Sequence, residues 1–212
     1  MKMKKSLLIP MQISKIDRRH FLIGLTAVGA LTQTAVPAAA MTQDEARSLI
    51  GTVMDDVHTI INSSDTEEQM LRRFETLFND YGDIPVIARS VLGPPARSAS
   101  QQQLSAFTDA FRGYMARKYG RQFRRFIGAE ADVTGAREVQ SYWEVISTMT
   151  LRGQPPFEVR WHVSDRSGRH LFFNLIIEGV NLLAAERQEI GSMLERRGGQ
   201  LDRLIEGLAS AG

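Results

Sequence analysis

The sequence predicts an α+β fold in which N-terminal helices wrap a curved antiparallel sheet of about four to five strands, followed by a C-terminal helix. Apolar residues recur at helical spacing over 42–126, whereas segments rich in β-branched and aromatic residues fill 127–178. Helical spacing returns after Gly179. Because helices and strands form separate blocks instead of alternating, an antiparallel sheet is expected rather than a parallel one.

The composition is that of one globular domain, and it excludes several kinds of site. The chain has 212 residues, of which 43% are hydrophobic and 24% charged, and it contains no cysteine. Disulfides, thiolate metal sites and a cysteine nucleophile are therefore excluded. Residues 1–40 hold six basic side chains against one acidic, so the rest of the chain has 20 basic and 23 acidic ones. Without that segment, bulk charge gives no reason to expect nucleic-acid binding.

The first forty residues have the pattern of an export signal. A basic stretch ends at Arg18-Arg19, an apolar run covers 21–31, and Ala38-Ala39-Ala40 supplies small residues for a signal peptidase. The paired arginines resemble a twin-arginine signal, while the general secretory route and a membrane-anchored N-terminal helix are the alternatives. The apolar run is shorter than the roughly 20 residues that cross a bilayer. We expect cleavage after Ala40 and a single periplasmic domain over 41–212.

Two helices are predicted at the start of this domain. Thr42 and Glu45 form a capping box for the first helix, and Asn62 ends it. Ser64 and Glu67 are predicted to cap the second helix. Each helix has one apolar stripe, formed by Leu49, Ile50, Val53, Met54, Val57, Ile60 and Ile61 in the first and by Met70, Leu71, Phe74, Leu77 and Phe78 in the second.

A short third helix and a long fourth helix are predicted next. Asp83 begins the third with Pro85 in its first turn, and Gly93-Pro94-Pro95 ends it. Ser100 and Gln103 form the capping box of the fourth helix. The inner face of the fourth helix is rich in aromatic residues and comprises Leu104, Phe107, Phe111, Tyr114, Met115 and, less regularly, Tyr119, Phe123 and Phe126.

Strands are predicted in four segments separated by glycine and proline turns, namely 127–139, 142–150, 157–164 and 169–178. In the third segment, apolar side chains alternate with Glu158, Arg160 and His162, which are expected to face solvent. The closing helical residues are Leu182, Leu183, Ile190, Met193 and Leu194, then Leu201, Leu204, Ile205 and Leu208.

The sequence contains none of the common catalytic or cofactor motifs. The patterns G-x-G-x-x-G, G-x-x-x-x-G-K-[ST], H-E-x-x-H and G-x-S-x-G are all missing, so no catalytic residue, cofactor or metal is predicted. His58 is close to Asp55 and Asp56, but their spacing does not place all three on one helix face, which favours an exposed polar edge. An enzyme would have to take its acid or base from Glu178 or His170.

The long helix ends in a basic run formed by Arg117, Lys118, Arg121, Arg124 and Arg125. Positive side chains near a helix C-terminus complement the helix dipole, which explains part of this run without any partner. The same side chains also predict a surface that meets anionic lipid headgroups or an acidic partner. The sequence leaves both interpretations open.

Three stretches, in order along the chain, resemble segments of a known protein family. They are 83–93, 156–161 and 177–182, which read DIPVIARSVLG, PFEVRW and IEGVNL. With Arg187 and the closing segment 198–208, they are similar to the toluene-tolerance, or MlaC-like, family of periplasmic phospholipid-binding proteins. The family usually has a tryptophan-led strand at 171–175, with an aspartate near the position of Asn174. A hopanoid-associated branch of the family is therefore an alternative.

The resemblance implies a carrier rather than an enzyme. Members look like shuttles that carry a phospholipid between an outer-membrane lipoprotein–porin complex and an inner-membrane ABC transporter, and so support outer-membrane lipid asymmetry. The chain is accordingly expected to hold acyl chains in an apolar pocket in the periplasm. The alternatives are a carrier of another lipid such as a hopanoid, a non-catalytic adaptor with a filled core and, less favoured, an isomerase or hydrolase.

The pocket wall is assigned to apolar residues of the predicted inward face, and a one-residue error in strand register would invert that face. Exposing about 30 acyl methylenes to water costs roughly 0.8 kcal/mol each, so a carrier needs a pocket nearly as dry as a bilayer. The predicted wall residues are Tyr114, Met115, Trp143, Val145, Val159, Trp161, Phe172, Leu175, Ile177 and Val180.

Overall fold

Helices pack against a sheet in the computed structural model, which describes residues 40–122 and 126–211. Within these residues no helix is both long and apolar enough to cross a membrane. The predicted export signal before residue 40 lies outside the described residues, as do Arg124 and Arg125. The helices are α1 (Gln43–Ile61), α2 (Glu67–Tyr81), α3 (Ile84–Leu92), α4 (Gln101–Gly120), α5 (Leu182–Glu195) and α6 (Leu201–Leu208), with a short 3-10 helix at Pro94–Arg97.

The sheet is an antiparallel meander in which each strand pairs with the next along the chain. Its strands are β1 (Glu130–Val139), β2 (Tyr142–Thr150), β3 (Phe157–Ser164), β4 (Leu171–Ile177) and β5 (Val180–Asn181). The predicted α+β fold, with helices before and after an antiparallel sheet, is thus confirmed.

The helix starts follow the capping rules, with one correction. The capping boxes at Thr42 and Ser100 are both formed, and the Asp83 side chain caps α3 by accepting from the backbone of the first turn. The predicted cap of α2 at Ser64 is wrong, because Thr66 occupies that position and pairs with Gln69. Starting there places two glutamates in the first turn of α2, where the helix dipole stabilises negative charge.

Strand β4 contains an irregularity that decides which side chains face the helices. Its register against β3 shifts between His162 and Val163, so that Phe173 has no counterpart on β3. Such an extra residue in one strand is a β-bulge, and it reverses the alternation of side chains beyond it. Phe172 and Leu175 therefore share the inward face although three positions separate them.

The turn between β4 and β5 requires backbone conformations that few residues adopt. Ile177 pairs directly with Val180, so Glu178 and Gly179 form a two-residue loop. Their φ angles are 50° and 82°, and a type I′ hairpin turn needs positive φ at both positions. This turn leads into β5, after which α5 begins, and it presents Glu178 to solvent.

Two apolar cores occupy the described residues. One lies between α1, α2 and the sheet, and the other joins α3, α4, α5 and α6. Phe78 packs against both cores, so they meet beside α2. Among their most buried members are Ile50, Val53, Phe74 and Val145 in the first core and Val91, Phe107, Phe111, Ile190 and Leu204 in the second.

The opposite face of the sheet is not wholly solvent-exposed as predicted. His162 is only 9% exposed because the rings of Tyr142 and Phe173 pack against its imidazole, with centroids 4.6 and 5.6 Å away. Its Nε2 lies 3.3 Å from the Glu144 carboxylate, and its Nδ1 lies 3.3 Å from the Asn174 amide. Buried polar groups of this kind require partners, and here β2, β3 and β4 supply them.

This polar cluster predicts loss of stability in acid. Desolvation lowers the pKa of His162 from 6.5 despite the opposing effect of Glu144. The pKa of Glu144 is also below 4.5, because Arg137 and His162 outweigh desolvation. Below pH 6.5, His162 therefore takes up a proton more readily in the unfolded chain than in the folded protein. The free energy of unfolding consequently falls as the pH falls. Loss of the Glu144 contribution follows below pH 4.5.

The measurement is urea unfolding of the protein between pH 7.5 and 5. We expect the midpoint to fall over this interval, and the decline to be flatter in His162→Gln. The matched control is His58→Gln, which changes an exposed histidine of α1 and should keep the wild-type slope. Equal slopes in all three proteins would mean that His162 does not couple folding to pH.

Candidate functional site

A cavity of about 800 Å³ lies between the sheet and the helices, with side chains from α1 to α5 and from all five strands in its wall. Most of these side chains are aliphatic or aromatic. Its volume is within the range of about 300–1,000 Å³ that is typical of ligand pockets. The space that a filled core would occupy is thus available to an apolar molecule.

The sheet side of the cavity is built by the central strands. Val159 and Trp161 of β3 lie opposite Ile177 and Leu175 of β4, and all four belong to the cavity wall. The Trp161 indole nitrogen donates to the Ser147 hydroxyl at 3.0 Å. This bond satisfies the polar edge of the indole among the apolar side chains of this part of the wall.

The helix side of the cavity comes from the apolar stripes of the helices. The sequence placed the cavity between the sheet and the helices without naming most of the helix residues that line it, because periodicity does not distinguish a packed interior from a lined hole. Only Met115 of this side was among the predicted wall residues. The further residues from α1 to α5 are Val53, Met54, Val57, Ile61, Leu77, Phe78, Ile84, Ile87, Val91, Phe111, Leu182 and Leu183.

Seven of the ten predicted wall residues lie on the cavity: Met115, Val159, Trp161, Phe172, Leu175, Ile177 and Val180. The structure places the other three elsewhere. Val145 and Trp143 lie on the predicted face of β2, but α1 covers this part of the face. The Trp143 indole nitrogen donates a hydrogen bond to the Met41 carbonyl at 2.9 Å. Tyr114 points into the second core, where desolvation raises its pKa to about 12.

The exposed residues that the strands contribute to the wall lie at one end of the sheet, where β1 begins and β4 ends. The other exposed wall residues come from α1 and from the segment after α4. Together they define the mouth of the cavity, which is formed by Asp55, His58, Gln122, Glu130, Asp132, Glu178 and Val180. Val180 at this mouth is 57% exposed. A polar mouth and a mainly apolar interior match a ligand with one polar end and one apolar end.

The described part of the predicted basic surface makes contacts within the protein. Arg117 donates to the carbonyls of Leu208 and Ala211, and so satisfies the end of α6. Arg121 lies 3.7 Å from Glu67 of α2. Lys118 pairs with two glutamates of α5. These residues therefore link α4 to α2, α5 and α6. Contact of this surface with anionic headgroups or an acidic partner stays a prediction.

Lys118 belongs to a half-buried polar cluster beside the cavity. Its ammonium is 2.6 Å from Glu186 and 2.8 Å from Glu189, and the Tyr119 hydroxyl also donates to Glu186. Desolvation lowers the pKa of Lys118, but the two glutamates outweigh it and raise that pKa above its ordinary value. Burial and the Glu186 carboxylate raise the pKa of Tyr119. Lysine and tyrosine thus both remain protonated donors to Glu186.

Glu186 was missed by the sequence reasoning, although a signal was present. It occupies a position of the apolar stripe of α5, three residues after Leu183 and four before Ile190. A carboxylate at helical spacing within buried apolar residues indicates a buried charge that needs partners.

The candidate acid–base residues do not form a site with each other. Glu178 lies at the mouth in the exposed turn between β4 and β5, whereas His170 is not part of the cavity wall. Among residues 40–122 and 126–211, no group of three or more histidine, aspartate or glutamate side chains is arranged to hold a metal ion.

Comparison with known proteins agrees with this architecture. The phospholipid-binding protein from Ralstonia solanacearum, whose structure was solved in complex with a phospholipid, matches with a TM-score of 0.65 and 18% sequence identity. The match covers 78% of this chain and 99% of that one, and at this identity it shows a shared fold. Residues 51–210 match the MlaC protein family. Because this match covers most of the sequence, the chain belongs to the MlaC family.

Proposed function

We propose that this protein is a periplasmic carrier that holds the acyl chains of a phospholipid in the cavity and shuttles the lipid between membrane complexes. The observation behind the proposal is the apolar cavity of about 800 Å³ with its polar mouth. Support also comes from the MlaC family and from the phospholipid bound to the Ralstonia solanacearum relative.

The physical requirement on such a carrier is a cavity that replaces the bilayer as solvent. About 30 acyl methylenes, at roughly 0.8 kcal/mol each, oppose release of the lipid into water. Aliphatic and aromatic side chains on both sides of the cavity supply that environment. The adaptor alternative expects a filled core, and a cavity of this size is an argument against it.

Transport direction would come from partners rather than from the carrier. The sequence has no nucleotide-binding motif, so an energy source would have to lie in another protein. We propose an ABC transporter complex of the inner membrane and a lipoprotein–porin complex of the outer membrane as the two partners. They would favour the empty and the loaded states differently, since a ligand shifts an equilibrium only by its differential affinity.

Export to the periplasm by the signal in residues 1–40 is part of the same proposal. The twin-arginine route would deliver the domain already folded, whereas the general secretory route would deliver it unfolded. A carrier of hopanoids would use the same cavity, because its requirement for apolar surface is the same.

The experiment is native mass spectrometry of the protein purified from the periplasm, followed by organic extraction. We expect a co-purifying mass that matches a phospholipid. A hopanoid mass would change the cargo while keeping the carrier. Protein that is bare and also takes up no lipid from vesicles would contradict the proposal and favour the adaptor.

A further inference from the structure

One buried carboxylate oxygen on the cavity wall has no hydrogen-bond partner among the described residues. Glu186 is 2% exposed and belongs to the wall. Its Oε1 atom accepts from Lys118 and Tyr119, whereas its Oε2 atom is buried without a hydrogen bond from any described residue. A desolvated acceptor left unpaired is costly, so this position calls for a donor that the described residues do not supply.

The charged side chains of the cavity wall indicate what kind of group would fit at this atom. Lys118, which pairs with Oε1, lies outside the wall. The described wall residues include no lysine or arginine, but five carboxylates: Asp55, Glu130, Asp132, Glu178 and Glu186. Four of these carboxylates lie at the exposed mouth. A group that bears N–H or O–H donors is attracted to such a surface, while an anionic group without donors is repelled.

The position of Glu186 suits the polar end of a lipid. It lies in the second turn of α5, which begins directly after β5 at the mouth. Leu182 and Leu183, one turn earlier, also line the cavity. A molecule with its chains among the apolar side chains could therefore bring its polar end to Glu186.

We infer that Glu186 Oε2 accepts a hydrogen bond from a donor on the headgroup of the bound lipid, and that the carrier consequently prefers donor-bearing headgroups. The inference rests on the proposed function and specifies its cargo. Ethanolamine offers an ammonium and glycerol offers hydroxyls, whereas the quaternary ammonium of choline offers neither.

The test uses delipidated full-length mature protein and vesicles with equal amounts of dioleoyl phosphatidylethanolamine and dioleoyl phosphatidylcholine. The two lipids have identical chains and differ in the donor capacity of the nitrogen. We expect about a tenfold enrichment of phosphatidylethanolamine in the extracted lipid, as for one hydrogen bond to a charged acceptor. In a second arm, dioleoyl phosphatidylglycerol replaces the phosphatidylethanolamine. This arm shows whether hydroxyl donors are preferred over choline as strongly as an ammonium donor is.

A substitution of Glu186 makes the test specific to this oxygen. In Glu186→Gln the amide carbonyl is held by the Lys118 and Tyr119 donors, so the NH₂ group takes the place of Oε2. The position changes from an acceptor to a donor, and the preference for phosphatidylethanolamine should disappear. The matched control is Glu189→Gln, which removes the other partner of Lys118 outside the cavity wall and should keep the preference.

Each result bears on one of the two proposals. Equal loading of both lipids by the wild-type protein would overturn the inference and assign the Oε2 atom to water. An unchanged preference in Glu186→Gln would also overturn it. If that variant does not fold, the wild-type ratio still decides. Uptake of no lipid from any vesicle would instead overturn the carrier function itself.

Discussion

Replacing one residue on each side of the cavity by aspartate, Met115→Asp together with Leu175→Asp, should abolish lipid binding in a folded protein. Both side chains line the cavity and are half-buried, so in the empty protein water can reach the new carboxylates. Acyl chains would remove that water and leave two unpaired charges, each at a cost of several kcal/mol. We expect lipid retention to fall by more than about 100-fold.

The matched control for this variant is Ile176→Asp. Ile176 lies beside Leu175 on β4 but points to the opposite face, where it pairs with Arg160 of β3. This variant should keep its lipid. Extraction followed by mass spectrometry measures the lipid, and circular dichroism verifies the fold. Retained lipid in the double variant would show that the cavity is not where the chains lie.

Phe107→Ala should reduce the free energy of unfolding by about 3–5 kcal/mol, which is the usual cost of deleting a buried aromatic ring. Phe107 is fully buried in the second core and stacks on Phe111, with 5.8 Å between ring centroids. It is not part of the cavity wall. The folded fraction of the variant should therefore still bind lipid with wild-type stoichiometry.

Urea unfolding measures this effect, with Val86→Ala as the control. Val86 is 42% exposed on α3, and substitutions at such positions usually change stability by no more than about 0.5 kcal/mol. A loss below about 1 kcal/mol in Phe107→Ala would mean that the helices of the second core are not closely packed around this ring. Loss of lipid from folded Phe107→Ala would mean that the two cores and the cavity are coupled.

Much of the architecture was predictable because its signals are local. Capping boxes, proline at the start of α3 and glycine turns depend on hydrogen bonds and dihedral angles within a few residues. The α2 cap shows the limit of this reasoning. Ser64 and Thr66 both begin an acceptable capping pattern, and local rules alone do not choose between them.

The inward face of the sheet was predictable on β3, where alternation is regular. On β4 the bulge at Phe173 breaks the alternation, so a strict period of two would have put Phe172 and Leu175 on opposite faces. Their common face became certain only once the register against β3 was known. His162 was misjudged for a related reason, since the rings that bury it come from Tyr142 and from the bulged Phe173.

By itself the sequence determined the class of fold, the order of its elements and which side of each helix is apolar, because these follow from spacing along the chain. Only the tertiary structure decided where apolar side chains meet and where they leave a space. Val145 and Val159 share one sheet face, yet α1 fills the space over the first while the second borders the cavity. The tertiary structure also decided the role of Lys118, because helix packing brings Glu186 of α5 within 2.6 Å of its ammonium group. Contacts between distant segments depend on packing, and no local pattern records them.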